Sequence, residues 1–161
     1  MLSKMEEHLR NYPDKFKIER GSERVKSTGE IFTPTILVQN ILNQISKDIL
    51  LDCNRKILDP SCGDGQFLSE TLIIRINNGI EFEQALSTLY GVDLMQDNVD
   101  LCRERLLCGR EDLRHIVENN IVCADSLRYH FRFDGSHPYD DEKYQSQDLF
   151  KLLDGQTPIN S

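Results

Sequence analysis

Apolar positions along this chain switch between two periods. Ile36, Leu37, Ile41, Leu42 and Ile45 recur at helical spacing, as one face of an amphipathic helix requires. The run Lys56-Ile57-Leu58-Asp59 reads as a short buried strand. Residues 66–76 predict a helix through Phe67, Leu68 and Leu72, stopped by Asn77-Asn78-Gly79. Residues 82–89 predict a short helix, and Leu89-Tyr90-Gly91-Val92-Asp93 a second strand. Residues 96–108 carry Val99, Leu101, Cys102, Leu106 and Leu107 on a further helix. Ile121-Val122-Cys123-Ala124-Asp125 is a third strand. From Leu127 to Phe133, apolar or aromatic residues hold the odd positions and basic ones the even. That alternation predicts a strand with one buried face.

Alternating strands and helices predict a parallel sheet with helices on its faces. In such sheets ligands sit beyond the carboxyl ends of the strands. Asp59, Asp93 and Asp125 end the three predicted strands. The length suits one domain with a real core. Residues 1–26 predict a helix or a mobile arm, residues 27–134 the α/β unit, and residues 135–161 an acidic tail. The apolar cluster Leu149, Phe150, Leu152 and Leu153 in that tail predicts a short docking helix.

A net charge of −8 makes the chain alone a poor partner for DNA or RNA, whose phosphates call for clustered Lys and Arg. Lys15, Lys17, Arg20, Arg24 and Lys26 form the one basic concentration. The five cysteines include no Cys-x-x-Cys pair. An odd count without a secretory leader reads as reduced thiols in a cytoplasmic protein. No apolar run approaches the roughly 20 residues of a membrane span. The four histidines share no ligand spacing, so no metal is expected.

The chemistry concentrates in Asp59-Pro60-Ser61-Cys62-Gly63-Asp64-Gly65-Gln66-Phe67-Leu68. A strand, a turn with two glycines and a helix start let backbone N–H groups approach a ligand closely. The same loop also reads as a plain structural turn. It lacks the third small residue of a dinucleotide fingerprint, which counts against NAD. Asp93 stands where a ribose-binding acid is expected, and equally where a helix N-cap would be. Asp125 can accept from an exocyclic amine or simply form a turn with Ser126. Leu94 and Leu127 can sandwich an aromatic ring or belong to the core. Thr33, ahead of Pro34, can cap its helix, bind a ligand carboxylate, or do both. Cys62 has no partner base in the sequence, which disfavours a thiol nucleophile.

Read together, Thr28-Gly29-Glu30-Ile31-Phe32-Thr33-Pro34, the glycine motif, Tyr90-Gly91-Val92-Asp93-Leu94 and Cys123-Ala124-Asp125-Ser126-Leu127 resemble the N6-adenine DNA methyltransferases in which the cofactor motifs lead the chain. The order and spacing match as a set over residues 26–134. The resemblance implies a Rossmann-like α/β fold of three layers (α/β/α) that binds S-adenosylmethionine. It makes Thr33 and the span Asp59 to Gly65, with Asp59, Pro60, Ser61, Cys62, Gly63 and Gly65 as the named contacts, the methionine and backbone cradle. It makes Asp93 the ribose acceptor and Asp125, with Ser126, the adenine edge. Phe32, Phe67, Leu94 and Leu127 would supply apolar packing.

The family's catalytic Asn-Pro-Pro-Tyr or Asp-Pro-Pro-Tyr, whose ring stacks on a flipped base, is not intact here. Ser136-His137-Pro138-Tyr139 stands in its place, which makes Ser136, Pro138 and Tyr139 the catalytic candidates. The resemblance leads one to expect further strands and a DNA-reading region beyond Tyr139, where an acidic stretch follows. The expectation is therefore the cofactor half of a methyltransferase with a truncated sheet. The outer side of its first strand would stay open unless residues 127–133 cover it. A protein partner or a second copy would complete the sheet. The other readings are a small methyltransferase acting alone through residues 136–139, a catalytically silent S-adenosylmethionine binder or decoy, and a domain for another nucleotide.

Overall fold

Two short β-strands and a longer one collect the apolar runs into one sheet, and the helices pack mainly on one side of it. The computed structural model of the chain describes residues 3–16 and 33–139. Residues 28–32, Phe32 among them, and the cluster from Leu149 to Leu153 lie outside the described residues. The elements run α1 (Lys4–Phe16), α2 (Thr35–Leu42), α3 (Lys47–Leu50), β1 (Ile57–Asp59), α4 (Gln66–Asn77), α5 (Phe82–Ser87), β2 (Leu89–Asp93), α6 (Gln96–Leu107), a 3₁₀ turn (Glu111–Leu113), α7 (Arg114–Asn120) and β3 (Ile121–Cys123).

The sheet order is β1-β2-β3. Both pairs are parallel, with Ile57 opposite Leu89 and Gly91 opposite Ile121. Side chains alternate between the faces of a strand. Leu89 and Ile121 therefore join the main core, where Leu9, Leu68, Leu72, Val99, Cys102 and Leu106 meet them. Val92 points to the opposite face, where Ala124, Tyr129, Phe133 and Tyr139 pack.

Helix α4 lies at the centre. Leu68, Ser69, Glu70, Thr71, Leu72, Ile73 and Arg75 are all buried, because α1, α2, α3, α5 and α6 surround it. Buried on every side, it carries little of the one-sided apolar pattern expected of a surface helix. Its charged groups have directed partners. The Arg75 guanidinium donates to the carbonyls of Leu50, Asp52, Arg55 and Ala85 and to the Thr88 hydroxyl. That pins the segment before β1 and the turn before β2 to one helix.

The strand expected over residues 127–133 does not form. Phe131 and Phe133 have φ of 54° and 52°, a left-handed backbone incompatible with an extended chain. The alternation records an aromatic cluster instead. Tyr129 lies 5.0 Å from the Phe131 ring and 5.2 Å from the Phe133 ring, and Phe133 reaches Tyr90 of β2 at 4.7 Å. Leu127, expected to be buried, is 93% exposed. This segment lies over the face of β2 and β3. Among the described residues no strand pairs with the outer edge of β1, and Leu58 on it is exposed.

Other expectations shift at their boundaries. Thr33 is not the cap of its helix: Pro34 holds the N-cap position and Thr35 begins α2. The helix expected through Ile45 ends at Leu42, and a separate short helix, α3, follows it. The 3₁₀ turn and α7, between α6 and β3, carry no reading in the sequence analysis.

Gly65 turns the chain from the loop into α4 with φ of 86°. A Cβ there would stand 2.6 Å from the Cys102 sulfur, whereas Gly79, at φ of 84°, has nothing within 4 Å. Both substitutions to alanine incur left-handed strain, but only Gly65→Ala adds a collision in the core. We expect Gly79→Ala to cost about 1 kcal/mol and Gly65→Ala about 3 kcal/mol or more. Urea denaturation of the two variants measures the difference, and equal losses would refute the packing argument.

Candidate functional site

The carboxyl ends of the three strands are drawn together by main-chain hydrogen bonds. Cys62 N–H donates to the Val92 carbonyl at 2.9 Å and Ala124 N–H to the Asp93 carbonyl at 2.9 Å. The loop after β1 is thereby laid against the end of β2, and the segment after β3 follows. Gly91 permits this approach, because a Cβ there would lie 2.9 Å from the Cys62 sulfur.

Asp93 is the hub. One carboxylate oxygen accepts Gly63 N–H at 3.0 Å. The other accepts Met95 N–H at 2.9 Å and the Asn98 side-chain amide at 3.0 Å. Met95, not Asp93, holds the N-cap position of α6. A carboxylate offers about four acceptor positions, so the half-buried Asp93 keeps capacity for a donor arriving from solvent.

Asp59 faces the same edge. Its carboxylate accepts Ser61 N–H at 3.1 Å. Burial pushes its pKa up, the Ser61 N–H opposes this, and the Asp93 charge adds to the rise. Pro60 and Ser61 are exposed, while Gly63 is half-buried. Cys62 is buried. Its thiol is pushed well up by a hydrogen bond with Cys102 and by burial, which holds it as an unreactive thiol.

Asp125 stands two residues beyond β3. It accepts Leu127 N–H at 3.0 Å and has Arg128 at 3.8 Å. The half-buried Ser126 and the exposed Leu127 follow on its rim. Leu94 is half-buried beside Asp93, and its carbonyl accepts the Cys123 thiol at 3.4 Å. Phe67 packs instead toward Val38, Leu42 and Leu50, on the α2 side. Thr33 is half-buried just ahead of α2. The start of that helix is tied to the glycine loop, since the Gln66 amide donates to the Thr35 hydroxyl at 2.8 Å.

The segment 134–139 folds back onto residues 129–130. The Tyr139 hydroxyl accepts Asp125 N–H at 2.9 Å and the ring packs on the Val92 cluster. Pro138 offers its carbonyl to His130 N–H at 3.3 Å. The Ser136 hydroxyl donates to Asp134 at 2.5 Å. His130 Nδ1 accepts Arg132 N–H at 3.1 Å, and Nε2 lies 2.6 Å from the His137 carbonyl. Nε2 therefore carries the proton, and His130 is not a base toward Ser136.

The arrangement thus joins Asp59, the 60–65 loop, Asp93 and Asp125 along one edge, with the start of α2 tied to it. The sequence analysis missed Asn98, Gln66 and Arg105, and the burial of Asp64 against Arg105. Arg105 had one signal: a charge on the apolar stripe of α6, three residues after Cys102. Among the described residues no group of His, Cys, Asp and Glu could hold a metal ion, and no helix is long and apolar enough to cross a membrane. A family model described as N-6 DNA Methylase matches residues 17–141.

The raised pKa of Asp59 sets a pH test. A carboxyl whose folded pKa is raised adds stability in acid that is lost as pH rises through that pKa. Asp59→Asn removes the buried charge and keeps an acceptor for Ser61. We expect it to raise the melting temperature by a few degrees at about pH 7, with the gain vanishing near pH 3. Thermal melts of both proteins at the two pH values decide this, and a variant less stable at neutral pH would count against it.

Proposed function

Because the chain belongs to the N-6 DNA methylase family, a group of DNA methyltransferase-related proteins, we propose that its strand-end site binds S-adenosylmethionine for methyl transfer to the amino group of adenine in DNA. The observation that carries this is the acid-rich edge. Asp59, Asp93 and Asp125 meet there around a glycine loop whose Gly63 N–H is already held by Asp93. Such an edge suits a ligand with ribose hydroxyls, an exocyclic amine, an ammonium and a cationic sulfonium. It repels the pyrophosphate of a dinucleotide.

In this reading Asp93 accepts from the ribose hydroxyls at its remaining acceptor position. Asp125 with Ser126 lines the adenine edge, and Leu94 and Leu127 flank the ring. Thr33 and the loop from Asp59 to Gly65 hold the methionine end, with Asp59 opposite its cationic groups. When bound, S-adenosylmethionine supplies a methyl group on a positively charged sulfur. The described α/β unit then corresponds to part of a Rossmann-like, three-layer fold.

The target amine needs a holder, and residues 136–139 are engaged elsewhere. Ser136 donates to Asp134 and Tyr139 accepts from Asp125. We therefore propose that methyl transfer requires further polypeptide, from a partner or a second copy, seated along the edge of β1 that no strand pairs among the described residues. The net charge of −8 likewise favours DNA contact through such a partner.

Calorimetric titration with S-adenosylhomocysteine tests the cofactor reading. We expect micromolar binding by the wild type and a loss of about tenfold or more in Asp93→Asn, where a charge-assisted acceptor is removed. Binding of NAD or ATP with no heat from S-adenosylhomocysteine would overturn it.

A further inference from the structure

Arg105 is a guanidinium with no solvent exposure, and its donors reach two separate pieces of chain, α1 and the loop leading into α4. Nε donates to the Leu9 carbonyl of α1 at 2.6 Å. Nη1 donates to the Asp64 carbonyl at 3.2 Å and lies 3.2 Å from the Asp64 carboxylate. Nη2 donates to Oε1 of Gln66 at 2.5 Å. Arginine can only donate, so the Gln66 oxygen must face it. The Gln66 nitrogen is thereby turned toward Thr35, whose hydroxyl accepts at 2.8 Å.

A second rung lies one helical turn further along both helices. Glu70, four residues after Gln66, accepts the Arg10 guanidinium at 2.9 and 3.2 Å. It also accepts the side-chain amide of Gln39, four residues after Thr35, at 3.0 Å. Residues four apart lie on one helix face. The two rungs therefore join matching faces of α4 and α2, and α1 closes each through Leu9 or Arg10. Apolar packing of Val38 and Leu42 against α4 is non-directional, whereas these bonds fix one register.

We propose that Gln66 and Arg105 are positioning residues. They set the spacing between the glycine loop, held through Asp64, and the start of α2, where Thr33 stands. Neither needs to touch the ligand. The role rests on the S-adenosylmethionine reading given above, in which the loop and Thr33 grip the methionine end together. Helix α1 then belongs to the frame of the site, although it packs on the core.

The test uses Thr35→Val, which keeps the shape and removes the acceptor, Thr35→Ser, which restores it, and Gln66→Met. Each full-length protein is titrated with S-adenosylhomocysteine and with 5′-methylthioadenosine, which lacks the amino-acid end. Thr35→Val and Gln66→Met should each weaken S-adenosylhomocysteine about tenfold and leave methylthioadenosine within about twofold. Thr35→Ser should bind as the wild type. The Thr35→Val, Gln66→Met double variant should be no weaker than Gln66→Met alone, because the bond that Thr35→Val removes is already absent once Gln66 is replaced. Equal losses for both ligands, or additive losses in the double variant, would overturn the proposal. If the wild type binds neither ligand, the cofactor reading fails, and amide hydrogen exchange of the free proteins still decides the positioning role. Faster exchange at Gly63, Asp64 and Gly65 in Thr35→Val supports it, and unchanged exchange refutes it.

Discussion

The Asp93 carboxylate binds Gly63 N–H, Met95 N–H and the Asn98 amide at once. These donors come from the loop after β1, the turn after β2 and the first turn of α6. Hydrogen bonds to a charged acceptor are the stronger kind. One side chain therefore holds the glycine loop against the end of the central strand, where the parallel sheet leaves a crevice. The Ala124 bond to the Asp93 main chain brings the Asp125 segment to the same place. The Asp93 carboxylate acts together with the Cys62 N–H bond to the Val92 carbonyl, which lays the same glycine loop on β2.

Helix α4 imposes the second constraint. Enclosed by five other helices, it buries Glu70 and Arg75 together with its leucines. Taking charge out of water costs several kcal/mol unless partners replace the lost hydration. Glu70 receives Arg10 and Gln39, and Arg105 on α6 receives Asp64. Arg75 is met by neutral carbonyls and a hydroxyl, and burial accordingly pulls its pKa down. Buried pairs add little net stability. Their effect here is directional: each one forces a particular helix end, loop or strand entry into register.

The two faces of the sheet differ in kind. One carries helices over an aliphatic core. The other carries an aromatic coil in which Tyr129, Phe131 and Phe133 stack, with Tyr139 tied to Asp125. Membership of the N-6 DNA methylase family is consistent with a site at the strand ends, and the acid-rich edge narrows the ligand chemistry to donors and cations. Among the described residues the outer edge of β1 carries no paired strand, and Ser136 and Tyr139 are held by Asp134 and by the Asp125 main chain.

Much of the fold was legible in the sequence because its signals are local. Continuous apolar runs marked the three strands, and helical spacing marked α4, α5 and α6. The glycine turn and the acids at the strand ends followed from backbone requirements of the residues themselves. Other features depended on residues far apart in the chain. The alternation of residues 127–133 satisfied the strand pattern, yet aromatic clustering on Tyr90 selected a left-handed coil. Thr33 met the local preference for a cap, yet the helix begins after Pro34. The positioning roles of Gln66 and Arg105 were not read from the sequence, since a buried polar residue shows its role only through partners that folding brings to it. The sequence by itself determined the parallel α/β order and the strand-end acids, which rest on neighbouring residues. Tertiary structure decided that residues 127–133 lie on the sheet face and not along β1, which face is aromatic and how the loop is locked to α2. Those outcomes rest on long-range packing and on the need to satisfy buried charge.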